Sequence, residues 1–379
     1  MLYFDNAATS SPKAPGVSER MRYYLDAVCA NINRGENTHA IRAGMVTLRL
    51  RERLCELFHF DAADHVLLNA GATMALNVAL KGFLKPGDHV LVSAYEHNAV
   101  MRPLVQLGVD FDRVPGDEDG CMDVSAIEPL IRSNTKLFAL AHASNVTGTL
   151  QDVEAVGAIC KKHNIAFVVD AAQTAGYVPI DFHRAQMSAM AVPAHKGLLG
   201  PQGIGALLLR EDFAKQLDPL IIGGTGSMSD SEEVPPYMPD RFESGTPNLP
   251  GIYGWAAAME YLASQDENAH RQRQTALLQH FLHALQGIEH LRILGKKTAH
   301  GRVGVVSLDF TRFDNAQVCD RLEREFGIIT RSGLHCAPAA HKAMGTFPRG
   351  TVRFALGYST TFEEIDAALQ AITAIAAQG

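Results

Sequence analysis

The sequence predicts an α/β fold, with a large unit on a mainly parallel sheet followed by a smaller α+β unit. Three observations carry this. Over residues 64–209 short β-rich runs alternate with helical patterns. The runs are apolar throughout, as strands covered on both faces are. At 379 residues the chain also exceeds the size at which one hydrophobic core usually keeps growing. The expected division gives 13–255 to the large unit and 1–12 with 256–379 to the small one.

The strand runs are HVLLN (65–69), HVLVS (89–93), FALAHA (138–143), AFVVD (166–170), SAMAV (188–192) and GALLL (205–209). Between them lie helical stretches such as MALNVALKGFL (74–84) and VEAVGAICKKH (153–163), and turn signals such as KPGD (85–88). The stretch 223–250 is rich in Gly, Ser and Pro and too long for an ordinary connection, so it reads as loops that wrap a site. Helical patterns resume over 252–263 and after Glu267. Two strand-like runs, VGVVSLDF and GTVRFAL, and a closing helix from Phe362 complete the small unit.

Composition narrows the function classes. A formal net charge of −7 gives no chain-wide basic footprint for nucleic acid or an anionic membrane. The start MLYFDNAATS carries Asp5 and no basic region before an apolar run, so it does not read as a secretion signal. No apolar run reaches membrane-spanning length. The six cysteines form no CxxC pair and no disulfide framework, which fits reduced thiols in a cytoplasm. No His/Cys spacing implies a metal.

Chemistry concentrates in three segments. Asp170 ends an apolar strand, where ligands enter open α/β sheets. A carboxylate there can keep a pyridine nitrogen protonated and make the ring an electron sink, and Gln173 can donate to a phenolic oxygen nearby. Lys196 lies between His195 and a run of glycines, and a partly desolvated lysine there can form a Schiff base. Alone, the Asp reads as a helix cap and the Lys as a solvated group. Together with GPQGIG downstream they point to pyridoxal 5'-phosphate. Thr73, after Gly71 and Ala72 at the start of a helical pattern, offers free N–H groups and a hydroxyl to a phosphate. The third segment, RSGLHCA (331–337), puts Cys336 beside His335 and near Arg331, where positive neighbours favour thiolate.

These motifs occur in one order over nearly the whole chain: YFDNAAT, NAGATMALN, YEHNAV, SNVTGT, VVDAAQ, HKGLLGPQGIG, RFESGTPN and RSGLHCA. In that order the chain resembles class V aminotransferase-like enzymes of pyridoxal phosphate fold type I, in the cysteine desulfurase and selenocysteine lyase branch, and the resemblance implies that the mainly parallel sheet of the large unit is seven-stranded. The resemblance implies that Lys196 links the cofactor, Asp170 partners the pyridine nitrogen and Gln173 contacts the phenolic oxygen. His97 matches an imidazole that stacks on the ring and moves protons; Asn145 lies near ring and substrate. Ala72, Thr73 and His195 are expected at the phosphate, with Thr246 lent across a homodimer interface. Arg353 is expected to grip the substrate carboxylate, with Arg331 a further contact.

The RSGLHCA element is similar to the short cysteine loop of group II desulfurases. It implies that Cys336 takes sulfur from L-cysteine as a persulfide, leaves L-alanine, and passes the sulfur to a thiol acceptor, often a dedicated protein. Selenocysteine lyase, and an aminotransferase or β-lyase in which Cys336 is incidental, remain alternatives, as does a sulfur-relay partner without efficient cofactor use. Two departures matter. Pro193 and Ala194 stand where the family usually has Ser or Thr and then Gly, so phosphate holding leans on Thr73, His195 and Thr246. Leu334 replaces the first His of the HHC pattern.

Overall fold

The computed structural model describes residues 1–32, 35 and 37–378. After β1 (Leu2–Tyr3), the large sheet is made of β2 (Val66–Asn69), β3 (His89–Ser93), β4 (Asp110–Val114), β5 (Thr135–Ala141), β6 (Ala166–Asp170), β7 (Ala189–Pro193) and β8 (Gly205–Leu209). Their spatial order is β2-β8-β7-β6-β5-β3-β4. Strands β3 to β7 run parallel, and β8 is antiparallel to both neighbours.

Alternating residues of the central strands supply two different cores. Leu91, Phe138, Leu140, Phe167 and Val169 pack on one face with Leu50, Leu54 and Trp255. Val90, Val92, Leu137, Ala139 and Val168 pack on the other with Leu76, Leu80 and Leu104. That two-faced burial is why the runs are apolar throughout instead of alternating.

Strand β4 is the exception, because it lies at the sheet's edge. Its sequence DFDRV interleaves charges with apolar residues, which suits an edge that must not recruit another strand.

The small unit holds β9 (Leu291–Ile293), β10 (Val305–Phe310), β11 (Ile328–Ile329), β12 (Arg331–Gly333) and β13 (Thr351–Ala355). Four of these form the sheet β12-β13-β10-β9, while β11 pairs in parallel with β1. Helices Glu267–Leu285 and Phe362–Ala376 cover this sheet through Leu277, Phe281, Ile365 and Ile372. The last helix starts at a capping box, in which Thr361 and Glu364 each satisfy the other's backbone N–H. The helix Leu249–Ala263 runs across the expected boundary at 255, and Ala258 and Met259 still pack in the large core. Residues 215–248 contain no helix or strand. Several of them line a second hollow of about 310 Å³ beside the main cavity. Among the described residues no helix is long and apolar enough to cross a membrane.

Candidate active site

A cavity of about 500 Å³ opens where the carboxyl ends of β3, β5, β6 and β7 converge. Ala72, Thr73, His97, Asn145, Asp170, Gln173, His195 and Lys196 all line it. Open parallel sheets bind ligands at this end, because the loops leaving neighbouring strands part there.

Lys196 sits on the tight turn that follows β7, closed by Leu199 N–H to the Lys196 carbonyl and Gly200 N–H to the Ala194 carbonyl. Gly197 next to it has no room for a side chain, since a Cβ there would meet the Ala175 carbonyl and the Tyr177 ring. The Lys196 amine donates to no described residue. Burial pushes its pKa down to about 8, Asp170 opposes this, and Arg353 and Arg331 push the same way as burial. A large neutral fraction at mildly alkaline pH follows, which a nucleophilic amine requires.

Asp170 is buried at the end of β6 and accepts from the Ala172 N–H at 2.9 Å. Gln173 donates to the Ala7 carbonyl at 3.2 Å, so its amide keeps one further N–H for a ligand. The helix Ala72–Phe83 begins at the cavity without a side-chain cap, because its N-cap is Gly71. Its first N–H groups therefore face the cavity with the Thr73 hydroxyl, an anion seat. His195 lines the same region; burial pushes its pKa down to about 4, and its Nδ1 is buried without a partner. Pro193 contributes no donor to the wall.

His97 is the N-cap of the helix Asn98–Leu107, with Nδ1 accepting from the Ala99 N–H at 3.0 Å. That bond puts the ring's proton on Nε2. Burial holds its pKa low, against the pull of Asp170. The sequence suggests an imidazole that both takes and gives a proton; the cap makes it a donor in this state.

The cysteine loop is held by its backbone. The Asn98 N–H donates to the Cys336 carbonyl at 2.8 Å, and the Asn145 amide donates to the His335 carbonyl at 2.6 Å. His335 and Cys336 both have positive φ, 49° and 57°, so the loop turns sharply and leaves Cys336 exposed. His335 points the other way, buried against the Thr351 hydroxyl at 3.1 Å. Burial pushes its pKa down to about 2. It is therefore neutral and does not supply the positive charge expected beside the thiol. Arg353 and Cys336 interact electrostatically.

Arg353 is only 1% exposed, does not line the cavity, and makes a 2.7 Å ion pair with Asp5. Arg331 is exposed and lies directly across from Arg353 in the β12–β13 pairing. Thr246 lies outside the main cavity, on the wall of the second hollow, with the Asn31 amide 3.5 Å from its hydroxyl.

Sequence reasoning missed three participants. Glu96, beside His97, is fully buried and accepts from the Ser93 hydroxyl at 2.6 Å and the Ala141 N–H. Burial pushes its pKa up to about 8. It thus ties the His97 turn to the end of β5, next to Asp170 in the sheet. Lys13 donates to the His195 carbonyl at 3.0 Å, and Asp5 holds Arg353. Glu96 and Asp5 stand in the motifs YEHNAV and YFDNAAT, and Lys13 four residues beyond the latter; for the two acids the available signal was a carboxylate with no Lys or Arg in its own motif.

These walls fit pyridoxal phosphate. They offer an unpartnered lysine, a buried carboxylate, an uncapped helix start with a hydroxyl, and a histidine nitrogen lacking a partner, around a hollow of ordinary ligand size. Among the described residues no group of three or more His, Cys, Asp or Glu is placed to hold a metal.

Known proteins resemble this chain over nearly its whole length. The model of the aminotransferase class-V family matches residues 2–368. A probable cysteine desulfurase of Methanothermobacter thermautotrophicus is 31% identical over 100% of this chain and 95% of its own length. Among solved structures, the apo cysteine desulfurase of Thermococcus onnurineus NA1 superposes with a TM-score of 0.92 at 29% identity, covering 100% of this chain and 95% of that one. The Escherichia coli cysteine desulfurase CsdA, in an S-sulfonic acid form, gives 0.86 at 26% identity, over 99% and 94%.

Proposed function

The chain belongs to the aminotransferase class-V family, and from that premise we propose that it is a pyridoxal phosphate-dependent cysteine desulfurase. It converts L-cysteine to L-alanine and carries the sulfur on Cys336. The observation that carries this reading is the docking of the Cys336 loop. An exposed thiol is fastened through its own carbonyl to the helix that His97 caps, and through the His335 carbonyl to Asn145 in the cavity wall. Transamination has no use for such a thiol.

Pyridoxal phosphate, when bound, supplies the electron sink that makes a substrate's α-proton acidic. Lys196, Asp170, Gln173, His97, Asn145, Thr73, Ala72 and His195 would hold it, with Lys196 as the covalent link. Lys196 is the residue that takes the α-proton, because its amine is neutral at a pH where surface lysines are charged. His97 donates through Nε2. The Cys336 thiolate attacks the substrate's sulfur, and an S–S bond forms as the C–S bond breaks. The electron pair of the broken bond stays with carbon, which takes up a proton to become the methyl group of L-alanine, and Lys196 returns a proton to the α-carbon. An acceptor thiol then attacks the outer sulfur, leaves with it as a persulfide, and returns Cys336 as a thiol.

The working unit is a homodimer. Ile41, Met45 and Leu48 form an exposed apolar stripe along the helix Thr38–Phe58, with Tyr23 and Leu25 exposed as well. Thr246, expected at the phosphate, stands outside this chain's own cavity, as a residue lent to a second copy would. The test is L-alanine formation from L-cysteine with a reducing thiol, in wild type and Cys336→Ala, with selenocysteine run in parallel. Equal L-alanine release by both proteins from L-cysteine overturns the nucleophile.

A further inference from the structure

Residues 5–13 form a strap tied to Gln173, His195 and the end of β13. The Asn6 amide donates to the Ala355 carbonyl at 2.9 Å, and the Ala7 carbonyl receives Gln173. Ser10 N–H and the Lys13 amine donate to the His195 carbonyl at 2.8 and 3.0 Å. The strap's one carboxylate, Asp5, is spent on Arg353.

The arginine's donors are unevenly used. Its NH2 group meets Asp5 at 2.7 Å, its NH1 reaches the Asn145 carbonyl at a long 3.4 Å, and its Nε is buried without a partner. Across the β12–β13 pair stands Arg331, which has no carboxylate partner among the described residues. Asp5 is thus the one carboxylate paired with the Arg353 guanidinium. Asp5 also reaches the cavity electrically, since it acts on the charge of Lys196.

We infer that Asp5 is an internal stand-in for a ligand's carboxylate: in the resting site it neutralises Arg353 and holds the donors that the α-carboxylate of an amino acid takes up. This rests on the reading of the cavity as an amino-acid site. A buried guanidinium left without a counter-charge is costly, so the resting state needs Asp5. A ligand carboxylate arriving at Arg353 then exchanges one anion for another, and its charge adds little net affinity. The exchange makes Asp5 a residue that sets specificity. It lowers the gain from any carboxylate.

The exchange makes a prediction of definite sign. Removing the charge of Asp5 tightens the binding of carboxylate ligands, whereas a merely structural strap residue weakens it. L-alanine and L-alaninamide, which differ in the carboxylate, are titrated onto the cofactor-loaded protein and followed by visible absorbance. In Asp5→Asn, L-alanine binds about tenfold tighter than in wild type, the worth of one charge-assisted contact, while L-alaninamide changes by less than about twofold. Acetate also raises the Tm of the variant more than that of wild type. Asp5→Glu, which keeps the charge, retains the wild-type ratio of the two affinities. Asn6→Ala loosens the same strap without touching Arg353 and leaves that ratio unchanged. Equal or weaker L-alanine binding in Asp5→Asn overturns the role of Asp5, as does the same tightening in Asn6→Ala. A wild-type protein that binds neither amine overturns the amino-acid reading itself.

Discussion

The lysine cavity and the cysteine loop answer opposite demands with one chain. The cavity is built from the ends of neighbouring parallel strands, and burial moves its bases toward their neutral forms: Lys196 to about 8 and His195 to about 4. The cysteine loop comes from the small unit, 140 residues further on (336 − 196), and keeps its thiol in the open. It is fixed by backbone carbonyls and by two successive left-handed residues, each costing on the order of 1 kcal/mol when not glycine. Groups that must lose water are set by the sheet. The group that must hand its cargo to another molecule is set on a short finger beyond it.

If the two regions do separate tasks, they separate under mutation. Lys196→Ala has the largest effect: L-alanine formation falls by at least roughly a thousandfold, as expected for the loss of both covalent link and base, and borohydride no longer fixes the cofactor. Cys336→Ala loses roughly a hundredfold of L-alanine formation while the cofactor's absorbance and affinity stay at wild-type values. Joint loss of colour and activity in Cys336→Ala would break the comparison.

Pro193→Ser tests the cavity alone. A hydroxyl restored to this wall tightens cofactor binding by about tenfold, measured by equilibrium dialysis, and leaves the reactivity of Cys336 with iodoacetamide unchanged.

The smallest effect is on stability. His142 and His335 are buried with pKa values pushed down to about 4 and about 2. The unfolded chain binds their protons near pH 6.5 and the folded chain refuses them, so stability falls as pH drops below 6.5. Between pH 6.5 and 5 the loss is roughly 1–2 kcal/mol for each, visible as a falling Tm. His335→Asn tolerates the left-handed turn and removes its share of that slope.

The sequence made the cavity more legible than the loop, for a physical reason. Asp170, Lys196 and Thr73 stand in recognisable local patterns, an apolar run ending in a carboxylate, a Gly-rich turn, and a helix start, and it is their joint occurrence in one order that singles them out. The run SAMAV was expected to end at 192, and the strand continues through Pro193, tolerated because it is the last residue. Strand β4 was not expected, since an edge strand carries charges that hide its periodicity. The Asp5–Arg353 pair spans 348 positions, and no local pattern reports it. His335 was expected to charge the thiol's surroundings; adjacency in sequence says nothing of which way a side chain turns.

The most direct test is to find the sulfur. After one turnover with L-cysteine and no acceptor thiol, the peptide holding Cys336 is examined by mass spectrometry. A carrier cysteine predicts one added sulfur atom on Cys336 per L-alanine formed, removed by a reducing thiol. L-alanine formed in the same amount with Cys336 unmodified would contradict it.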